Sequence, residues 1–396
     1  MGVKPIKEGV YSVGCVDKSA EYFHGRSYVT RRGLTYNSYL IKDEKNVLID
    51  LVHADFTKEF IANIKEVIDP SKIDVVIINH IEPDHSGAFP EIVRLMPNAQ
   101  FYGTEKARSG LLKYYGAEAK SWTSVKLGSS INIGKRTLEF IDEPMIHWPD
   151  SMFTYSGFDK ILFSNDGFGQ HYATDKTFDD EVDFNILMDE AKKYYANILW
   201  PFGQILGAKL AALKKMNLQI EMIATSHGLI WRKYIPEILE KYVYWAANSC
   251  ANKVAVVYET MWNSTEKMAQ KIAEGITSEG VEAKLFDVTK NDRPDIAAYM
   301  LDAKGFVFGS STHDGEMLPM LAGYLSFLRG SKAKGRAAFA FGSYGWSGEA
   351  ADEIEKTVSN IASFAPPLKA VFAPTKEELD KCFTRGREFA KKIKGS

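Results

Sequence analysis

One stretch organises this sequence: Val75-Val76-Ile77-Ile78-Asn79-His80-Ile81-Glu82-Pro83-Asp84-His85-Ser86, in which an apolar run leads directly into four potential metal ligands. Consecutive branched apolar residues are typical of a strand that is covered on both faces of a sheet. The ligands therefore follow the carboxyl end of a strand, where open α/β sheets place their sites. Imidazole and carboxylate donors without a thiolate favour zinc, iron or manganese. The alternative, a solvated polar turn, is disfavoured by the density of ligands.

The composition describes an ordinary globular protein. A length of 396 residues exceeds what one hydrophobic core usually organises, so we expect two domains. The net charge of −2 gives no support for nucleic-acid binding. No apolar run is long enough to span a membrane, and the three cysteines are far apart, so a reducing, cytoplasmic setting is expected. No Cys-x-x-Cys pair is present, so the sequence carries no rubredoxin-like redox module.

Three later segments repeat the same design, an apolar strand that runs into a polar ligand. The ligands are His147 after the strand 137–141, Asp166 after the strand 160–164, and His227 after the strand 220–224. Taken singly, each is more simply a capping aspartate or a satisfied histidine. Together with the first cluster they offer seven ligands from four strand ends, which favours one shared metal centre.

This constellation resembles the metallo-β-lactamase fold, a four-layer αββα sandwich with its metals at one sheet edge. It is more closely similar to the diiron domain of the flavodiiron proteins, also called A-type flavoproteins. The hydrolases of this fold carry His-x-His-x-Asp-His, whereas this sequence has His-x-Glu-x-Asp-His, with Glu82 at the second position. A carboxylate is a harder, anionic ligand, which favours iron in redox service.

The resemblance implies two irons and one bridging carboxylate. The ligands are His80, Glu82 and His147 for one iron, Asp84, His85 and His227 for the other, and Asp166 between them. In some members of the family the position of His85 is not a ligand. Three carboxylates offset three of the four charges on two ferrous ions, so such a site can be buried without a large desolvation cost.

The family also implies residues around the irons that are not ligands. A histidine at His24 and a tyrosine at Tyr194 line the substrate pocket there, as proton donors or orienting groups. Tyr195 is an almost equal alternative to Tyr194. Asp150 follows His147 closely and could orient a ligand histidine, although a purely structural role is equally expected.

The second half of the sequence restarts the α/β pattern. Residues 233–250 predict a helix that closes the first domain, and 251–253 a short linker, so the expected domains are 1–250 and 251–396. A strand at 254–258 then leads through a hydroxyl-rich segment into a helix at 266–276. Such a segment at a helix amino terminus can cradle a phosphate. It lacks the lysine of a nucleotide P-loop. Its residues are Thr260, Met261, Trp262, Asn263, Ser264 and Thr265.

This segment resembles the phosphate loop of flavodoxins, with Trp262 and Asn263 standing where flavodoxins have threonine and glycine. An ordinary N-capped helix is the alternative. Two further segments after strands look like the loops that hold the isoalloxazine ring, although Ser311 replaces a commoner proline. They comprise Ser310, Ser311, Thr312, His313, Asp314 and Gly315, and Ser343, Tyr344, Gly345, Trp346, Ser347 and Gly348. The resemblance therefore implies FMN.

The predicted fold class is α/β, a metallo-β-lactamase-like αββα sandwich followed by a flavodoxin-like doubly wound parallel sheet. The resemblance implies an oxidoreductase that reduces dioxygen to water, nitric oxide to nitrous oxide, or both, at a non-haem diiron site fed through FMN. It also implies a head-to-tail homodimer, or a dimer of dimers, and an external electron donor. Rubredoxin is the favoured donor and a reduced deazaflavin coenzyme the alternative. A zinc hydrolase with an accessory domain and a non-catalytic electron carrier remain the competing functions.

Overall fold

The computed structural model describes residues 2–126, 128–142, 145–331, 333, 335–358 and 361–395. The chain divides into two compact units. The first runs to Gly25 and continues from Thr30 to Val243, and the second comprises Arg26–Val29 and the chain from Tyr244 onward. The units thus divide a few residues before the predicted boundary, and no local pattern marks the short segment 26–29 as part of the second unit. In the described ranges no helix is long and apolar enough to cross a membrane.

Up to residue 246, strands and helices alternate only within 47–124, with a run of consecutive strands before this part and another after it, so the predicted alternation covers part of the unit. The strands are β1 (Lys4–Lys7), β2 (Val10–Ser12), β3 (Cys15–Asp17), β4 (Tyr22–Phe23), β5 (Tyr28–Val29), β6 (Leu34–Tyr36), β7 (Tyr39–Ile41), β8 (Val47–Ile49), β9 (Val75–Ile77), β10 (Gln100–Gly103), β11 (Trp122–Ser124), β12 (Ser130–Asn132), β13 (Thr137–Asp142), β14 (Met152–Ser156), β15 (Ile161–Asn165) and β16 (Met222–Thr225). The helices are α1 (Thr57–Val67), α2 (Pro83–Ser86), α3 (Phe89–Leu95), α4 (Glu105–Tyr115), α5 (Phe184–Tyr194), α6 (Gly203–Lys215) and α7 (Ile235–Ala246).

Two sheets build the core of the first unit. One has seven strands in the order β1-β2-β7-β8-β9-β10-β11, and the other has five in the order β12-β13-β14-β15-β16. Apolar side chains from both sheets join in one buried cluster, in which Ile49 and Ile77 of the first sheet pack with Phe140 and Phe163 of the second. Burial of such a cluster contributes about 25 cal/mol for each Å² of apolar surface removed from water. This is the two-sheet core that the resemblance to the metallo-β-lactamase fold implies.

The second unit is built on one main sheet. Its strands are β17 (Ala251–Glu259), β18 (Glu282–Asp287), β19 (Ala303–His313), β20 (Glu316–Met317), β21 (Ala337–Tyr344), β22 (Ala362–Ser363) and β23 (Leu368–Val371). Its helices are α8 (Ser264–Ser278), α9 (Arg293–Met300), α10 (Pro319–Ser331), α11 (Glu349–Thr357) and α12 (Lys376–Gly395). The order is β18-β17-β19-β21-β22, with parallel pairing, and β23 also pairs with β21. A doubly wound sheet with this order is of the flavodoxin type.

Two local predictions are wrong in this unit. The predicted linker at 251–253 is the beginning of β17, where Ala251 pairs with Ala303. The predicted ring-binding loop at 310–315 is largely strand, because β19 continues to His313 and folds back onto β20 in an antiparallel pair. In both places the strand is longer than predicted, because pairing with a neighbouring strand extends it.

Candidate metal centre and flavin cradle

The first unit brings together the seven side chains that the sequence singled out as ligands. They form two groups in which one donor atom from each residue lies within 4.8 Å of the others: His80, Glu82, His147 and Asp166, and Asp84, His85 and His227. All seven residues are buried. Because the donors come from the two facing sheets, the folding of the unit as a whole assembles them.

Strand ends and one short helix position these side chains. His80 and Glu82 follow β9, and Asp84 and His85 lie on α2, where Pro83 at the first turn suits a helix start. The predicted loop is therefore partly helical. The ligand after β13 precedes β14, and the ligands after β15 and β16 follow adjacent parallel strands. The carboxyl ends of these strands consequently face one edge of the sandwich.

The first group has the spacing of ligands around one ion. His147 Nε2 lies 3.1 Å from Glu82 Oε2 and 3.2 Å from Asp166 Oδ2. His80 Nε2 lies 3.5 Å from Glu82 Oε2 and 3.6 Å from Asp166 Oδ2. Donor atoms that bind one metal ion at about 2.1 Å are separated by roughly 3.0–3.5 Å in octahedral or tetrahedral geometry. The group therefore leaves room for one ion.

The second group uses the other oxygen of the same aspartate. His85 Nε2 lies 3.0 Å from Asp166 Oδ1 and 3.4 Å from Asp84 Oδ2. His227 Nε2 lies 3.1 Å from Asp84 Oδ2 and 3.6 Å from Asp166 Oδ1. Asp166 thus directs one carboxylate oxygen toward each group, which is the arrangement of a bridging ligand. His85 occupies a position that is not a ligand in some members of the family. In this structure it lies with Asp84 and His227 in the second group.

The donor atoms fit cations because hydrogen bonds do not satisfy them. Within the described part of the chain, buried ligand atoms without a hydrogen-bond partner are His80 Nε2, Glu82 Oε2, His85 Nε2, His227 Nε2 and both carboxylate oxygens of Asp84 and Asp166. Buried polar atoms of this kind cost several kcal/mol each unless a partner is found. Metal ions between the donor atoms would satisfy both groups at once.

The electrostatics of the centre also call for positive charge. Burial alone would lower the pKa of His85, but the carboxylates of Asp84 and Asp166 raise that pKa to about 9. Burial alone would raise the pKa of Asp166, but the neighbouring His85 and His147 hold that pKa well below its ordinary value. The carboxylates are therefore charged, and the centre draws cations inward.

Partners behind the ligands fix the orientation of two imidazole rings. Asp150 Oδ2 accepts hydrogen bonds from His80 Nδ1 and from the backbone N–H of Ile81, both at 2.9 Å. His227 Nδ1 donates to the carbonyl oxygen of Thr35 at 2.6 Å. In each ring the Nε2 atom is thereby left for a metal. The sequence analysis named Asp150 as a carboxylate that could orient a ligand histidine. In the structure the histidine that it contacts is His80.

The two predicted pocket residues both lie against the centre. His24 Nε2 is 2.8 Å from Glu82 Oε1. The ring of Tyr194 is 5.9 Å from that of His227, while Tyr195 packs instead on Tyr242 at 5.2 Å. Burial and the nearby Asp166 raise the pKa of Tyr194 well above its ordinary value, so its hydroxyl keeps its proton. Of the two candidate tyrosines, the one beside the ligands is therefore Tyr194.

Other residues at the centre were missed by the sequence analysis. The buried ring of His171 lies 5.2 Å from that of His227 and 5.0 Å from that of Tyr194, with Phe23 at 4.6 Å. Burial, together with His227, lowers the pKa of His171 well below its ordinary value, so this histidine is neutral. Its place in the segment that follows Asp166 was the one available signal.

A buried amide and carboxylate also support the first strand end. Asp50 Oδ1 accepts the backbone N–H of Asn79 at 2.7 Å, and its Oδ2 accepts the side-chain amide of Asn79 at 2.9 Å. Asn79 Oδ1 in turn accepts from Thr154 at 2.7 Å. This network ties the residue before His80 to both sheets, and nothing in the local pattern pointed to it.

The hydroxyl-rich segment of the second unit has the features of a phosphate cradle. The hydroxyl oxygen of Thr260 is buried and, within the described residues, has no hydrogen-bond partner. Asn263 has a φ of 65°, the left-handed region that glycine and asparagine tolerate best. This explains why asparagine can replace the glycine of flavodoxins. Helix α8 begins directly afterwards, so its amino terminus faces the same segment.

The remaining predicted flavin residues lie at neighbouring strand ends. Ser311 of β19 pairs with Ser343 of β21, and β19 in turn runs parallel beside β17. Trp262 and Trp346 are 84% and 82% exposed, so their indole rings are free to cover an aromatic ligand. The three predicted segments thus meet at one edge of the sheet, which fits FMN.

Known proteins resemble this chain over nearly its whole length. Two family profiles match, one described as ODP family beta lactamase over residues 34–228 and one as flavodoxin over residues 256–386. A nitric oxide reductase of Moorella thermoacetica is 44% identical over 391 residues, which are 98% of each chain. An anaerobic nitric oxide reductase flavorubredoxin of Vibrio vulnificus is 41% identical over 98% of this chain and 79% of its own length.

Solved structures agree with the sequence relatives. The rubredoxin oxygen:oxidoreductase of Desulfovibrio gigas matches with a TM-score of 0.97 at 33% identity over 99% of both chains. The flavodiiron protein of Giardia intestinalis matches with a TM-score of 0.95 at 35% identity, over 100% of this chain and 97% of its own. The predicted fold class is confirmed, and the flavodoxin match bears out the expectation of FMN. The chain belongs to the flavodiiron family of oxidoreductases.

Proposed function

We propose that this chain reduces a small diatomic substrate at a pair of iron ions held by the two donor groups. The observation that carries the proposal is Asp166, whose two oxygens lie within 3.6 Å of histidines from separate groups. A single carboxylate shared in this way favours two ions that act together. Glu82 in the first group adds anionic charge, which suits iron better than the zinc of the related hydrolases.

When bound, the irons would activate the substrate and FMN would relay electrons to them. The side chains of the protein then have three tasks. Asp150 and the carbonyl of Thr35 hold two ligand rings in place. His24, hydrogen-bonded to Glu82, is placed to supply protons at the pocket, and the protonated hydroxyl group of Tyr194 is placed to donate a hydrogen bond there. The buried aromatic ring of Phe23, against His171, helps to exclude bulk water.

The names of two relatives support nitric oxide as the substrate. Two relatives at 41% and 44% identity are named for nitric oxide reduction, whereas the Desulfovibrio protein at 33% identity is named for oxygen. Coupling of two nitric oxide molecules takes up two electrons and two protons and releases nitrous oxide and water. We propose this reaction, with reduction of dioxygen to water as a second activity of the same centre.

The electrons come from a separate protein in this proposal. Two relatives carry rubredoxin in their names, the Vibrio flavorubredoxin and the Desulfovibrio rubredoxin oxygen:oxidoreductase. Rubredoxin is therefore the proposed donor, with a reduced deazaflavin coenzyme as the alternative. A head-to-tail homodimer, or a dimer of dimers, in the cytoplasm completes the proposal.

Steady-state turnover with reduced rubredoxin tests this function directly. Purified full-length protein is assayed without oxygen for nitric oxide consumption, and separately for dioxygen consumption, after its iron and FMN have been counted. The expected result is two irons and one FMN per chain and reduction of nitric oxide. The variant His147→Asn should keep FMN and lose turnover. Two zinc ions without reductase activity would overturn the proposal.

A further inference from the structure

Three buried hydroxyl groups meet under the phosphate cradle of the second unit. The side-chain oxygen of Thr265 lies 2.9 Å from that of Ser343 and 3.0 Å from that of Ser311. The two serine oxygens are 3.5 Å apart. All three residues are buried, and Thr265 has no exposed surface. We call Thr265, Ser311 and Ser343 the hydroxyl triad.

The hydroxyl triad joins the three segments that converge on the predicted flavin site. Thr265 is the second residue of helix α8, Ser311 lies near the end of β19, and Ser343 lies near the end of β21. The two serines are register partners on adjacent parallel strands. The hydroxyl triad therefore anchors the start of the helix, at Thr265, to two neighbouring strands.

The hydroxyl group of Ser343 is used in its contact with Thr265. A hydroxyl group donates one hydrogen bond and accepts two. Within the described residues, the side chain of Ser343 has hydrogen-bond partners in Thr265 and Ser311 alone. Since the contact with Thr265 is the shorter, the Ser343 proton is best placed there. An unpaired hydroxyl group at this depth would cost free energy, so the contact is retained.

Ser311, the third member of the triad, contacts the end of the cradle that lies farther from helix α8. Ser311 accepts a hydrogen bond from the backbone N–H of Met261 at 3.4 Å. The segment from Met261 to Thr265 is thus tied to buried hydroxyl groups at both ends, while Trp262 and Asn263 between them are exposed. A loop held in this way keeps its backbone N–H groups in position before a ligand arrives, which reduces the entropy lost on binding.

We infer that Ser343 is a positioning residue for the phosphate group of the flavin, acting through Thr265. The inference rests on the FMN part of the proposed function. If Ser343 only stabilised the fold, its loss would weaken the binding of every ligand at this edge of the sheet equally. If Ser343 positions the cradle, its loss weakens the binding of FMN, which carries a phosphate. The binding of riboflavin, which has the same ring and no phosphate, then stays unchanged.

The test compares the binding of the two flavins by the full chain. FMN is removed from the protein, and dissociation constants for FMN and riboflavin are measured by quenching of flavin fluorescence. The variant is Ser343→Ala. The control is Ser331→Ala, which removes another buried serine hydroxyl of the same unit, one that donates to the carbonyl of Leu328 at 2.7 Å. Loss of one hydrogen bond in the cradle should weaken FMN binding about fivefold to tenfold.

The expected result is weaker FMN binding in Ser343→Ala, with riboflavin binding within about twofold of the unmodified protein and no selective change in the control. Equal loss of both flavins, or no loss of either, would overturn the inference. Failure of the unmodified chain to bind FMN would remove the proposed cofactor and the inference together. If Ser343→Ala does not fold, Ser311→Ala removes the other partner of Thr265 and must show the same preference.

Discussion

Replacement of Asp150 by asparagine isolates the contact that orients His80. One carboxylate oxygen of Asp150 accepts from His80 Nδ1 and from the N–H of Ile81, each at 2.9 Å. Asp150 is 2% exposed and His80 is fully buried, so water cannot compensate for the loss of negative charge. Asparagine has the same size but no charge, and hydrogen bonds to a charged acceptor are roughly twice as strong as neutral ones.

The expected loss of metal affinity follows because Asp150 contacts a candidate ligand, His80, and not the metal itself. Loss of such a partner usually lowers metal affinity about tenfold to a hundredfold, or about 1.4–2.8 kcal/mol. The effect should fall on one ion. His227, in the other group, is held by the carbonyl of Thr35 and has no contact with Asp150 among its hydrogen bonds in the described chain. Asp150→Asn should therefore weaken one iron and leave the second nearly unchanged.

The assay is a titration of ferrous iron against a competing chelator without oxygen, with the far-ultraviolet circular dichroism spectrum as the measure of folding. Asp180→Asn is the matched control, because Asp180 accepts from Arg232 at 2.8 Å on a partly exposed surface of the same unit. Unmodified protein and control should bind two irons alike. If Asp150→Asn also bound both irons with unchanged affinity, the reasoning about His80 would be refuted.

Three further outcomes are expected. Tyr194→Phe should lower turnover about tenfold while iron and FMN contents stay unchanged, because the ring packing survives and one hydrogen-bond donor at the pocket is lost; unchanged turnover would remove Tyr194 from the reaction. Gly228→Ala should lower the melting temperature by about 3 °C or more and reduce iron content, since Gly228 has a φ of 81° and an added Cβ would meet Gln170; normal iron and stability would contradict this. Removal of iron by a chelator should abolish turnover and leave the FMN spectrum intact, because the two units have separate cores; loss of FMN together with iron would count against that independence.

The clustering of the candidate ligands was predictable because the segments that carry them follow apolar runs. A strand that ends in a histidine or an aspartate is a local pattern, and four such ends can be found without knowledge of the fold. The flavin segments were predictable for the same reason. The structure adds the distances that sort the ligands into groups, above all the division of the two Asp166 oxygens between them.

The supporting contacts were not predictable because they join distant parts of the chain. His227 and Thr35 are 192 residues apart in sequence, and Asp50 and Asn79 belong to different segments of the first sheet. A local pattern carries no information about such pairs. The limits of β17 and β19 were wrong for a related reason, since the pairing of Ala251 and the short strand β20 extend them.

The position of metal in the folded protein tests the central claim most directly. A crystal of the purified chain, with diffraction data collected on both sides of the iron absorption edge, locates each iron by its anomalous scattering. Two peaks are expected, one in each donor group, and both about 2.1 Å from an oxygen of Asp166. A single peak, no peak, or zinc at these positions would contradict the account.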